Sequence, residues 1–158
     1  MGLQIGDLAP DFVLQDSQGK PFALGDLRGC YGVLYFYPRD NTPGCTQEAQ
    51  GFRDLYDRFQ AQNIAIWGIS ADDAKAHQKF IQKHQLPFPL LCDPGGQVAT
   101  AYESYGPKKF MGREFIGVYR HTFIIDPLGQ IAQIYRKVKP ALHAAQVLDD
   151  LAALIPPT

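Results

Sequence analysis

The residues best placed to do chemistry in this chain lie between positions 34 and 59, and Cys45 is the centre of the group. An apolar stretch, Val33-Leu34-Tyr35-Phe36-Tyr37, has the composition of a buried strand and stops at Pro38. A short polar loop leads to Thr42-Pro43-Gly44-Cys45, after which the pattern becomes helical. Cys45 therefore falls in the first turn of a helix at the carboxyl end of a strand. Unpaired backbone N–H groups and the positive end of the helix dipole favour a thiolate over a thiol there. A cysteine in this setting is a candidate nucleophile rather than a core filler.

The elements around it follow from spacing. Residues 11–14 read as a short strand, 16–20 as a turn and 21–24 as the returning strand, an N-terminal β-hairpin. Residues 32–37 form the central strand. Ala49, Phe52, Leu55, Tyr56 and Phe59, three and four apart, give the helix after Cys45 one buried face. Residues 64–69 form a second apolar strand. Asp72 and Asp73 are N-cap candidates for a helix to about residue 85, with Ala76, Phe80 and Ile81 inward. Residues 88–92 are a third strand, 97–102 a short helix, and 106–117 a glycine- and lysine-rich excursion without assigned structure. Residues 122–126 and 131–135 flank Pro127-Leu128-Gly129-Gln130 as a hairpin. A last helix follows Pro140, with Leu142, Val147, Leu148, Leu151 and Leu154 inward. Strands joined by helices imply parallel crossovers, and the last hairpin adds antiparallel strands to the same sheet. The expected fold is α/β and thioredoxin-like: a central mixed β-sheet flanked by helices, with an N-terminal β-hairpin extension.

With 158 residues, nearly half of them apolar, one domain spanning residues 1–158 is expected. A net charge of −1 without a basic stripe argues against nucleic acid or an anionic membrane as partner. No apolar run is long enough for a membrane span, and the N-terminus has no signal-peptide pattern, so a cytoplasmic location is expected. Gly2 follows Met1, but Gly6 stands where a myristoylation motif needs Ser or Thr. The three cysteines, Cys30, Cys45 and Cys92, show neither C-x-x-C nor zinc spacing, which fits a reducing compartment. His77 and His143 read as solvated helix residues, His121 as strand packing, and Lys108, Lys109 and Arg113 as a solvated basic loop.

Pro38-Arg39-Asp40-Asn41-Thr42-Pro43-Gly44-Cys45 resembles the P-x-x-x-T-x-x-C signature of peroxiredoxins. With Tyr35-Phe36-Tyr37 before it and Phe52-Arg53-Asp54 after it, the chain resembles the peroxiredoxin Q, or bacterioferritin comigratory protein, group. Ala9-Pro10-Asp11-Phe12, Phe88-Pro89-Leu90-Leu91 with Asp93-Pro94, and Arg120-His121-Thr122-Phe123 through Asp126 extend the likeness over nearly the whole chain. The resemblance implies a thiol peroxidase of antioxidant defence that reduces hydrogen peroxide and organic hydroperoxides. Cys45 would attack the peroxide and become a sulfenic acid. Thr42 would hydrogen-bond the peroxide and help cap the helix, Pro38 would wall off water, and Arg120 would lower the Cys45 pKa. Glu48, one turn after Cys45, is a candidate to orient Arg120 or cap its own helix. Arg53 is a second candidate for that charge network, and Tyr37 a candidate pocket wall.

The chain departs from the group in one respect. Where many members carry a second, resolving cysteine five residues after the first, this chain has Gln50, and residues 72–85 contain none. Cys30 precedes the strand whose far end Cys45 follows, a separation of roughly 20 Å at ~3.3 Å per residue, beyond the ~7 Å Cα limit for a disulfide. Cys92 ends another strand at the correct edge of the sheet, and is a possible resolving residue as well as a packing thiol. The expectation is a one-cysteine cycle completed by thioredoxin, glutaredoxin with glutathione, or another external thiol, in a monomer without metal or other cofactor. The rival classes are a peroxide-sensing or redox-carrier protein, disfavoured by the missing C-x-x-C, and a non-catalytic thioredoxin-fold module, disfavoured because a scaffold needs none of Pro38, Thr42, Cys45 and Arg120.

Overall fold

Strand β3 (Gly32–Phe36) organises the structure, a computed structural model that describes residues 2–155. Its side chains alternate between two cores, as the two-residue period of a strand requires. Val33 and Tyr35, followed by Tyr37, enter one cluster, while Leu34 and Phe36 enter the other. Both faces are covered, so the strand reads as continuously apolar.

Around β3 lie β1 (Val13–Asp16), β2 (Pro21–Ala23), β4 (Ala65–Ser70), β5 (Leu90–Cys92), β8 (Thr122–Ile125) and β9 (Ile131–Tyr135). Together they form one seven-stranded sheet in the order β2-β1-β5-β4-β3-β8-β9. β3, β4 and β5 run parallel, with Leu34 opposite Trp67 and Ile69 opposite Leu91. β8 and β9 join as an antiparallel hairpin, and the N-terminal hairpin joins antiparallel at the other edge. The mixed thioredoxin-like sheet matches the expectation. β1 begins two residues late and continues to Asp16, whose carboxylate accepts from the Gln18 and Lys20 N–H groups and so shapes the turn.

Helices α1 (Pro43–Ala61), α2 (Ala74–His84) and α4 (His143–Leu154) cover one face. They contribute Phe52 and Phe59, Phe80, and Val147, Leu148 and Leu151 to a shared cluster. The short α3 (Gln97–Ala101) and a 3₁₀ turn at Leu24–Leu27 flank the opposite face. Asp73 caps α2 by accepting from the Ala76 N–H at 2.9 Å, as its position before the helix implies. Two leucines of the last helical segment are not where their spacing placed them. Leu142 is 64% exposed and Leu154 38% exposed, because α4 starts one residue after Leu142 and Leu154 is its last residue.

The excursion after α3 is ordered as an antiparallel hairpin, β6 (Tyr105–Phe110) with β7 (Arg113–Val118), outside the main sheet. Phe110 pairs with Arg113 across a two-residue loop whose residues, Met111 and Gly112, both have positive φ (51° and 78°). That is the left-handed geometry of a tight hairpin turn.

Candidate active site

The end of β3 delivers the chain into a loop fixed by buried polar bonds. Tyr37 donates its hydroxyl to Asp40 Oδ1 at 2.5 Å, and Asp40 Oδ2 lies 2.6 Å from His77 Nδ1. His77 Nε2 is 3.0 Å from the Leu91 carbonyl, which can only accept, so that nitrogen carries a proton. The Asp40 N–H donates to Asp72 Oδ2 at 2.7 Å. His77 has no exposed surface, which corrects its reading as a solvated residue. It lies three residues before Phe80, on the same helical stripe, and Asp40 supplies the partner that lets it be buried. Tyr37 is 1% exposed with its hydroxyl turned to Asp40, so it supports the loop and offers no wall to solvent. Asp40, Asp72 and His77 are also close enough to chelate a cation, but their facing atoms are spent on one another and on Tyr37 and Ser70.

Beyond the loop, Thr42 is the N-cap residue of α1 with extended backbone, and Pro43 takes the first helical position. The Thr42 hydroxyl does not cap the helix. It donates to the Arg39 carbonyl at 2.9 Å, and the backbone bond from Thr46 N–H to the Thr42 carbonyl (2.8 Å) closes the first turn. Cys45 lies in this turn and is 1% exposed.

Arg120 reaches Cys45 from the segment before β8. Its Nη2 is 3.4 Å from Cys45 Sγ and its Nη1 donates to Glu48 Oε1 at 2.9 Å. Gly44 makes room: a Cβ there would stand 3.0 Å from Arg120 Nη2. Glu48 is fully buried, and burial pushes its carboxyl up to about 7 against the opposing pull of Arg120. For Arg120, burial acts against the charge, but Cys45 and Glu48 outweigh it and raise its pKa. The other carboxyl oxygen of Glu48 faces His143 Nε2 at 4.0 Å. His143 is wholly buried, bonded to the Thr122 hydroxyl at 2.8 Å and edge-on to Phe52 and Tyr135. Burial lowers its pKa to about 4, so it is neutral at pH 7 and not the solvated residue its sequence position implied. His121 accepts or donates with Ser104 Oγ at 2.9 Å, and burial with Arg136 holds it near 4.

Arg53 is not part of this charge network; it bonds Asp54 and the His84 carbonyl. Pro38 is half-buried and borders the grooves on either side of Lys108. Cys30 precedes β3, its thiol on the Leu27 carbonyl at 3.3 Å, at the end of the strand away from Cys45. Cys92 ends β5, with β4 between it and β3. Burial, with Asp40, Asp73, Asp16 and Asp72 adding to it, pushes the Cys92 thiol up to about 11. All three thiols are free. The arrangement brings together a thiol and a guanidinium held by a buried carboxyl group, a set suited to meeting negative charge that develops on or beside sulfur.

The AhpC/TSA family model matches residues 5–134. Peroxiredoxin Bcp of Bacillus subtilis is 44% identical over 151 residues, 96% of each chain. The fold is similar to that of the bacterioferritin comigratory protein of Xanthomonas campestris, a protein described for its alkyl peroxide reduction activity (TM-score 0.91, 35% identity, 99% of this chain and 100% of that one). A mutant of PrxQ from Xylella fastidiosa is equally similar (TM-score 0.91, 34% identity, 98% of each chain).

Proposed function

The chain belongs to the AhpC/TSA family as a thiol peroxidase of the Bcp kind, and we propose that Cys45 is its peroxidatic sulfur and the only cysteine in its cycle. The observation that carries this reading is Arg120 Nη2, 3.4 Å from Sγ and tethered through its other nitrogen to Glu48. The sulfur attacks one peroxide oxygen, the O–O bond breaks, and the departing oxygen leaves as water or alcohol with the proton of the peroxide. Cys45 keeps the attacked oxygen as a sulfenate, which takes a proton from water to become a sulfenic acid. Arg120 meets the charge spread over sulfur and oxygens, and Glu48 keeps the guanidinium in place, so little reorganisation is left for the reaction itself. Because the Thr42 proton is engaged by the Arg39 carbonyl, its hydroxyl oxygen is left to act as an acceptor, the role we assign it toward the O–H of the peroxide. Pro38, without an N–H, narrows the approach and offers water no donor.

Neither remaining cysteine suits an internal resolving step. Cys30 sits at the wrong end of β3. A thiol raised to about 11 supplies almost no thiolate at neutral pH, and Cys92 stands beyond an intervening strand. Regeneration by an external thiol follows, from thioredoxin, glutaredoxin or glutathione. Hydrogen peroxide and organic hydroperoxides are the substrates, in keeping with the activity ascribed to the Xanthomonas protein. Steady-state peroxide consumption with an added thiol tests the one-cysteine cycle. It should survive in the Cys30→Ser/Cys92→Ser double variant and vanish in Cys45→Ser; loss in the double variant would overturn it.

A further inference from the structure

On the outer side of Arg120 lies a groove of about 470 Å³ whose charged lining is entirely cationic: Lys108, Arg120, Arg136 and Lys137, with Pro38 and Val138 as apolar wall. The neighbouring carboxylates act from outside it. Glu48 holds Arg120 from the buried side at 2.9 Å, and Glu103 stands 3.9 Å from Arg136, which also donates to the Leu3 carbonyl. Lys108 donates to the Val118 carbonyl, and among the described residues Lys137 has no ion-pair partner. His121, also on the groove, is neutral at pH 7 and adds no charge. Arg120 and Arg136 are each paired from outside the groove, but Lys108 and Lys137 have no carboxylate partner among the described residues, so the opening keeps a positive field. One of the four, Arg120, touches the reacting sulfur, so an anion in the groove is next to the site of chemistry.

Hydrogen peroxide is neutral and needs no such field. The second substrate does. A thiol attacks as its thiolate, and a positive surface both draws anions in and raises the thiolate fraction of a thiol held there. The volume lies in the range of small-molecule sites. The geometry points to this groove as the binding site of an anionic low-molecular-weight thiol of the glutathione type, its carboxylates on Arg136 and Lys137, which reduces the oxidised Cys45. The inference rests on the one-cysteine reading above. The incoming thiolate sulfur bonds to Cys45 Sγ, the S–O bond of the sulfenic acid breaks, and hydroxide leaves as water with a proton. A second thiolate then attacks the ligand sulfur of the mixed disulfide. Cys45 departs as thiolate, and the product is the disulfide of the small thiol. Two thiols thus supply the two electrons taken up by the peroxide. Cys45 is 1% exposed, so the first turn of α1 must open for the attack, and that turn has no side-chain cap to hold it shut.

The test uses full-length protein oxidised with one equivalent of hydrogen peroxide, then mixed with glutathione or with cysteamine, a cationic thiol. The wild type is compared with Arg136→Glu/Lys137→Glu. Reversing the two charges should slow glutathione about tenfold or more and speed cysteamine, so the ratio of the two rates is the readout. A variant that is merely damaged would slow both thiols. Equal effects on the two thiols, or none, would overturn the groove assignment while leaving the one-cysteine cycle intact, including the case where only a protein thiol reduces the enzyme efficiently. Absence of a sulfenic acid at Cys45 after the peroxide step would overturn both.

Discussion

Replacing Gly44 with alanine should separate stability from catalysis in a way few substitutions at this site can. Gly44 occupies the second helical position of α1 and its φ is not positive, so the backbone accepts alanine without strain. Alanine in place of glycine in a helix interior is worth about 0.5–1 kcal/mol, which offsets the crowding against Arg120, so the variant should stay within about 1 kcal/mol of the wild type in stability. The added methyl, however, would meet Arg120 Nη2 at 3.0 Å, with Arg120 Cζ and Pro140 Cγ each at 3.6 Å. The guanidinium must shift away from the first turn by a few tenths of an ångström, while its other nitrogen stays tied to Glu48. The Nη2–Sγ contact, already 3.4 Å, is the one that yields. Complete loss of a charge-assisted hydrogen bond costs about 1.5–3 kcal/mol, or roughly 10- to 150-fold in rate. A partial displacement should therefore slow peroxide attack by about 3- to 10-fold. Single-turnover stopped-flow gives the second-order rate, and urea unfolding gives the stability. A rate equal to wild type in a protein of comparable stability would show that the placement of Arg120 over the sulfur does not set the rate.

Three further perturbations probe the surroundings. Because burial raises Glu48 to about 7, the folded protein favours its protonated form; the stability this group contributes is full below its ordinary value near 4.5 and is lost as pH rises through about 7. Glu48→Gln should flatten that decline, roughly 3 kcal/mol in the wild type, in unfolding curves taken from pH 4.5 to 8; identical slopes would contradict the assignment. His77→Ala leaves Asp40 without its buried partner and should cost about 3–5 kcal/mol by denaturant titration, a loss below 1 kcal/mol showing that this contact does not hold the loop. Thr42→Val removes the acceptor proposed for the peroxide and should slow attack about tenfold or more while Thr42→Ser stays near wild type; equal rates for valine and serine would remove the hydroxyl from the mechanism.

Much of the site is legible in the sequence because it is built from local signals. The apolar run of β3, Pro38 as its stop and Pro43 at the first turn of α1 are enough by themselves to place Cys45 at a helix N-terminus. Glu48 follows Cys45 by three residues, so the helix period alone puts both on one side. The rest depends on contacts between distant segments. His77 and His143 have the sequence surroundings of surface residues, and only the fold brings Asp40 and Thr122, 37 and 21 residues away in the chain, within bonding distance of them. Arg53 resembles a second cation for the site, but its position on α1 turns it toward the end of α2. The β6–β7 hairpin carries no clear sequence signal because its turn is Met111-Gly112 rather than the asparagine- or aspartate-glycine pair that announces such turns. The cationic groove is assembled from β6, the segment between β7 and β8, and the segment after β9, a grouping with no linear signature.

The central claim is that Cys45 alone carries the oxidation, and intact mass with peptide mapping after one equivalent of hydrogen peroxide, without reductant, tests it most directly. The expected product carries one added oxygen, confined to the Cys45 peptide and captured by a sulfenic-acid reagent, with Cys30 and Cys92 still free thiols. Loss of two hydrogens with Cys45 linked to Cys92 would contradict the claim, as would oxygen on either of the other cysteines with Cys45 unchanged.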